Sequence, residues 1–256
     1  MRIIKAILGL AVLGLSACLD APETTTNAAI PVPSAVAPPE RTFLFSWGMY
    51  GDPVFDRDVI TFNRAYGAAF GSPAGSAQYG VNAASLSDPD PAAISADLTR
   101  LATAAVDGED LVVVMLTSHG VPDRIVVQPR QGGEIFDLTA DDLANLLSPL
   151  SSDQQILILQ ACFSGSLIDE LRSPNRIILT AASADRSSFG CSPESDNTWF
   201  IKALNRAMGE GGSWQQIFER TRALVAADEA AQGVPASNPQ RFVGTNMREI
   251  WTRGAI

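Results

Sequence analysis

Leu111-Val112-Val113-Val114-Met115-Leu116-Thr117-Ser118-His119-Gly120 is the stretch on which the reading of this chain turns. Six consecutive apolar residues are too few for a helix and do not alternate, so they predict a strand buried on both faces. A second such run, Ile156-Leu157-Ile158-Leu159, ends in Gln160-Ala161-Cys162. His119 is the one histidine of the 256 residues. Strands of this kind belong to parallel sheets with helices on both sides, where ligands bind beyond the carboxyl ends of the strands. A histidine and a cysteine are therefore expected at the same end of the sheet, on strands joined by a helical crossover.

Working outward, strands and helices alternate. Thr42-Phe43-Leu44-Phe45-Ser46-Trp47 predicts a first strand, stopped by Gly48 and the turn signals Gly51-Asp52-Pro53. Val59, Phe62, Tyr66 and Phe70 then recur at helical spacing. Residues 71–90 read as a loop region with room for one short strand. Pro91 opens a helix with Ile94, Leu98, Leu101 and Ala105 on one face. After His119 a hairpin is expected, residues 124–127 against 134–137, and Thr139 with Asp142 resembles a capping box. A short helix over Ser166–Leu171, a strand over 176–181, helices around 198–208 and 214–225, and an edge strand over 241–244 complete the pattern. The sum is an α/β fold of three layers, α/β/α, with a mostly parallel central sheet of about six strands.

The first seventeen residues stand apart. Arg2 and Lys5 followed by the apolar Ile7–Leu15 read as a signal peptide, too short to span a bilayer. Leu15-Ser16-Ala17-Cys18 resembles a bacterial lipobox, in which the cysteine thiol takes a lipid; the alternative is an ordinary signal peptide with a chance cysteine. Residues 18–40, rich in Pro, Ala and Thr, predict a lipidated cysteine and tether, and residues 41–256 the folded domain. Leu19, in place of Asp, leaves out the usual inner-membrane retention signal, so the expected place is the bacterial cell envelope, facing the periplasm from the outer membrane. Loss of Arg2 and Lys5 leaves 16 basic against 28 acidic residues, a net charge of −12. An acidic surface repels phosphate backbones, so nucleic acid is not an expected partner, and membrane attachment falls to the lipid on Cys18.

With Cys18 assigned, Cys162 and Cys191 remain in an oxidising compartment. They could form one structural disulfide, which would also act as a redox lock on a cysteine site. With one imidazole and no CxxC, a metal site is not expected. No cofactor is expected either.

A thiolate is the strongest nucleophile that a side chain offers near neutral pH. Placed where a strand hands over to a helix, Cys162 would gain from the positive end of that helix. Its own amide and that of Gly120, where no side chain blocks approach, could hold a developing oxyanion. His119 would protonate the leaving amine.

These motifs resemble a known family. Ser118-His119-Gly120 and Gln160-Ala161-Cys162-Phe163-Ser164-Gly165-Ser166, each after a hydrophobic strand, are similar to those of the legumain (asparaginyl endopeptidase) family of caspase-like cysteine peptidases. So are Leu179–Cys191 and Asn238–Gly244, and the likeness spans about residues 41–246. It implies a caspase-like fold, a catalytic dyad of His119 and Cys162, and cleavage of a protein or peptide substrate after Asn, or after Asp at lower pH. It implies a specificity pocket with Arg57, Ser188 and Asp196. Two positions depart from the family pattern: Phe163 stands where a carboxylate often follows the nucleophile, and Phe55 about where an asparagine lies near the pocket arginine. A transpeptidase using the same thioester is a close variant. A lipoprotein using the fold as a binding platform, without catalysis, is an alternative of another class. GxxxxGK[ST], GxGxxG and GxSxG are all missing, which argues against a nucleotide binder or a serine hydrolase.

Overall fold

The computed structural model of the protein describes residues 39–253. The signal peptide, Cys18 and the tether up to residue 38 lie outside the described residues. The elements run β1 (Thr42–Gly48), α1 (Pro53–Phe70), β2 (Gly75–Tyr79), α2 (Pro91–Ala104), β3 (Leu111–Thr117), β4 (Gly120–Val121), β5 (Arg124–Val127), β6 (Phe136–Thr139) and α3 (Ala140–Leu146). They continue with β7 (Gln154–Gln160), α4 (Ile168–Leu171), β8 (Arg176–Thr180), α5 (Trp199–Gly209), α6 (Trp214–Gln232), β9 (Gln240–Val243) and α7 (Arg248–Thr252).

Six strands form one sheet in the order β2-β1-β3-β7-β8-β9. The first five are parallel and β9 pairs antiparallel with β8. All seven residues of β3 and of β7 are buried, as continuous apolar runs require. Alternate side chains serve two cores. Val113, Met115, Ile156 and Ile158 pack with α1, α5, α6 and α7. Val112, Val114, Leu116, Leu157 and Leu159 pack with α2, α3 and α4 on the other face. The central position of β3 and β7 thus fixes the two strands that carry the motifs more firmly than any others in the sheet.

The weakly patterned region 71–90 does contain the short strand β2. Asp56, buried in α1, accepts hydrogen bonds from the amides of Val81, Asn82 and Ala83 at 2.9, 2.6 and 2.7 Å and so fixes the loop after β2. The expected hairpin pairs two residues later than its sequence suggests, β5 with Phe136–Thr139, so that β6 runs straight into the Thr139–Asp142 capping box of α3. The short helix expected from Ser166 begins instead as a 3-10 turn over Ser164–Leu167.

Candidate active site

In the parallel register of β3 and β7, Thr117 lies opposite Gln160. His119 and Cys162 each follow two residues later, so the topology delivers them side by side beyond the carboxyl ends of the two strands. The amide of Ser118 donates to the Gln160 carbonyl at 2.9 Å and carries the pairing one residue past the strand. A Cβ on Gly120 would lie 2.3 Å from the Cys162 carbonyl oxygen, so only glycine lets the two chains pass this closely.

The cysteine sits on a tight elbow. Phe163, next in the chain, takes a left-handed conformation (φ 56°), which costs a residue with a side chain about 1–2 kcal/mol. Hydrogen bonds hold the turn. The Phe163 amide donates to Arg186 O at 2.8 Å, Gly165 N to Ala182 O at 2.9 Å, and Ser166 Oγ to Phe163 O at 2.8 Å. These bonds correct the expectation of a helix end behind the thiol. The amides of Phe163, Gly165 and Ser166 are engaged within the turn and with the loop after β8. The sulfur instead accepts from the Ser188 amide at 3.3 Å, with the Ser188 carbonyl 3.5 Å away. The Cys162 amide makes no hydrogen bond within the described residues and is available to an oxyanion.

His119 is oriented from three sides. Its Nε2–H donates to Asp52 Oδ2 at 2.9 Å. Tyr50 and Phe55 meet the ring edge-on, with centroids 4.7 and 5.0 Å away. With Nε2 bonded to a carboxylate, Nδ1 is the nitrogen free for chemistry. Asp52 is the N-cap residue of α1, yet its side chain makes no cap hydrogen bond. Phe55 forms a wall of the imidazole.

Cys191 is half-buried, and both it and Cys162 are free thiols. Burial, then the neighbouring Cys162, push the Cys191 thiol above its ordinary range.

Of the expected pocket residues, Ser188 is brought to the sulfur. Its hydroxyl accepts from Gln160 Nε2 at 3.1 Å, and the Oε1 of Gln160 is buried without a partner. Arg57 donates to the carbonyls of Ser195 at 2.9 and 2.6 Å and of Pro193 at 2.5 Å, tying down the loop before α5. Asp196, exposed on that loop, makes no hydrogen bond within the described residues.

Asp58, on α1, is a fully buried carboxylate beneath this loop. It accepts from Thr117 Oγ1 and Thr198 Oγ1, both at 2.8 Å, from Asn197 Nδ2 at 2.9 Å and from Thr198 N at 3.0 Å. Burial raises its pKa to about 6 against those four donors. The sequence signals Asp52 as a turn residue and Gln160 as part of the cysteine motif, without their side-chain partners, and does not signal Asp58 beyond its residue type. Asp52 looks like a turn residue before proline, and Asp58 like a charge on a helix.

The fold and these paired strand ends define a caspase-like architecture with a cysteine and a histidine at its active end. Caspase-1 from Spodoptera frugiperda is similar in structure, with a TM-score of 0.54 over 79% of this chain and 88% of that chain at 13% identity, a likeness of fold. The family model of the peptidase C13 family matches residues 101–249, which include both motifs, and the chain belongs to that family of cysteine peptidases. No curated protein matches the chain in sequence.

Proposed function

We propose that the chain is a cysteine endopeptidase that cleaves through a thioester on Cys162. The single observation that carries this reading is the pairing at the ends of β3 and β7, with His119 held by Asp52 and Cys162 held on a strained elbow. The Cys162 thiolate attacks the carbonyl carbon of the scissile bond, and the amides of Gly120 and Cys162 receive the oxyanion. His119 gives a proton to the leaving amine, the C–N bond breaks and a thioester remains. Water then adds to the thioester, His119 takes its proton, and the acid and thiolate are released.

Asn before the cut is favoured over Asp near neutral pH. This preference is carried over from the resemblance of the His119 and Cys162 motifs to the legumain family. Arg57 ties down the loop before α5. Asp becomes acceptable as its carboxyl protonates at lower pH. The lipid at Cys18 anchors the enzyme to the cell envelope, facing the periplasm. Peptide libraries incubated with the reduced full-length chain between pH 4.5 and 8, with products read by mass spectrometry, test the proposal. Cleavage after Asn that disappears in Cys162→Ala and in His119→Ala is expected. No cleavage by the unsubstituted chain would hand the fold to the binding-platform alternative.

A further inference from the structure

The chain carries a net charge of −10, yet one open cavity of about 460 Å³ is lined by three arginines. Arg241 comes from β9, Arg222 from α6 and Arg248 from the first residue of α7. Glu219 bridges two of them, at 3.2 Å from Arg241 and 3.3 Å from Arg222. The side chain of Arg248 is exposed and makes no ion pair or hydrogen bond within the described residues. The local balance is therefore two positive charges in excess. Arg241 lies over the rings of Trp251 and Phe218, which fixes its guanidinium at the mouth of the cavity.

The cavity follows the free side of a strand. β9 ends the sheet, with β8 on one side and no strand on the other among the described residues. A second cavity of about 420 Å³ shares Gln240 and Arg241 with the first. It reaches Gly165 and Ser183–Arg186, the loops that hold the elbow of Cys162. A phosphate-sized ion would fill little of this space and would leave the strand edge unused. A second copy of the chain, pairing edge to edge about a two-fold axis, would bring its own arginines against these. An extended peptide uses both features: main-chain hydrogen bonds to β9 and alternate side chains on the face of Arg241.

We propose that β9 and the Arg222–Arg241–Arg248 cluster form an exosite for an acidic, extended segment of the protein substrate. This rests on the peptidase reading only for the name substrate. The site would pick out targets with an acidic stretch that the rest of the acidic surface repels.

The test uses the full-length chain with Cys162→Ala, so that binding does not depend on turnover, and a fluorescent peptide of alternating Glu and Thr. Its anisotropy is compared with that of a Gln-Thr peptide. Tighter binding of the Glu peptide is expected, weakened about tenfold by Arg222→Gln with Arg248→Gln, and weakened by salt, as for exposed ion pairs. Arg241 is left in place because it packs on Phe218 and Trp251. Equal binding of the two peptides, or full affinity in the double variant, would overturn the exosite. So would dimerisation of the unsubstituted chain that the same substitutions abolish, or arginine-dependent binding to anionic vesicles without binding of the Glu peptide. Cleavage of a short Asn peptide by the Arg222→Gln, Arg248→Gln chain with Cys162 restored should match that of the unsubstituted chain. A chain that binds the Glu peptide but cleaves nothing would sink the peptidase reading and leave the exosite standing.

Discussion

Asp58 joins the candidate active site to the stability of the fold, and its replacement by asparagine tests that link. In the folded chain its pKa is about 6, raised by burial from the ordinary 3.8. A raised carboxyl pKa means that the native state holds the proton more tightly than the unfolded state. The contribution is fully present below pH 3.8 and is lost as pH rises to about 6. At 1.36 kcal/mol per pH unit, that interval is worth ~3 kcal/mol. Asp58 is fully buried, so solvent screening does not reduce it. An asparagine side chain at this position has the same shape. Its carbonyl can face Asn197 Nδ2 and Thr198 N, and its NH2 can face the two hydroxyls, which turn to accept. The four bonds survive and the titration does not. Asp153, raised to about 7 by burial and by Asp107, titrates nearby in pH but is present in both chains. The difference between Asp58→Asn and the unsubstituted chain therefore isolates Asp58. Thermal melts from pH 4 to 7.5, both in a Cys162→Ala background to prevent self-cleavage, should show the asparagine variant gaining on its parent by roughly 5–10 °C across that range, since a little of the contribution is already lost at pH 4. Parallel melting curves would refute the reasoning. Asp58→Ala, which takes the acceptor from three buried donors and from Asn197, should lose several kcal/mol at every pH.

Three further outcomes follow from the geometry. Asp52→Ala should lower kcat by about 10–100-fold with little change in KM, because the carboxylate orients His119 without touching substrate; Asp52→Asn, whose oxygen can still accept the Nε2–H, should keep more activity in the same assay. Gly120→Ala forces a Cβ to 2.3 Å from the Cys162 carbonyl. Steady-state kinetics should show near-complete loss of activity, and urea unfolding a loss of about 1–3 kcal/mol. Because the Cys191 thiol is held above its ordinary 9.0, brief iodoacetamide treatment at pH 7.5 should label Cys162 and leave Cys191 almost unlabelled on peptide mapping.

What a single sequence discloses here depends on how local the physics is. β3 and β7 are legible because burial on both faces demands an unbroken apolar run, and their parallel register then determines that His119 and Cys162 meet. β2 is nearly illegible. Gly75-Ser76-Ala77-Gln78-Tyr79 has little strand propensity, and it is a strand because Phe43–Trp47 pair with it and Asp56 fixes the loop that follows. The hairpin register shifts because the capping box of α3, itself readable, draws Thr139 into the end of β6. In the site, the residues that act through the main chain or along a strand end could be read off, while the distant partners of the side chains that act across space could not. Asp52, Asp58 and Gln160 depend on partners 67, 140 and 28 residues away.

Arg57 shows the same divide from the other direction. Its position after the first strand made it a pocket residue by resemblance, yet its guanidinium is engaged by the carbonyls of Pro193 and Ser195. The loop that it ties down leads into Asn197 and Thr198, which donate to Asp58, and Thr117, two residues before His119, donates to the same carboxylate. One buried carboxylate thus bonds both to the loop after Cys191 and to the end of β3 that leads to His119. A perturbation of either should reach the other through Asp58 before it reaches the sulfur.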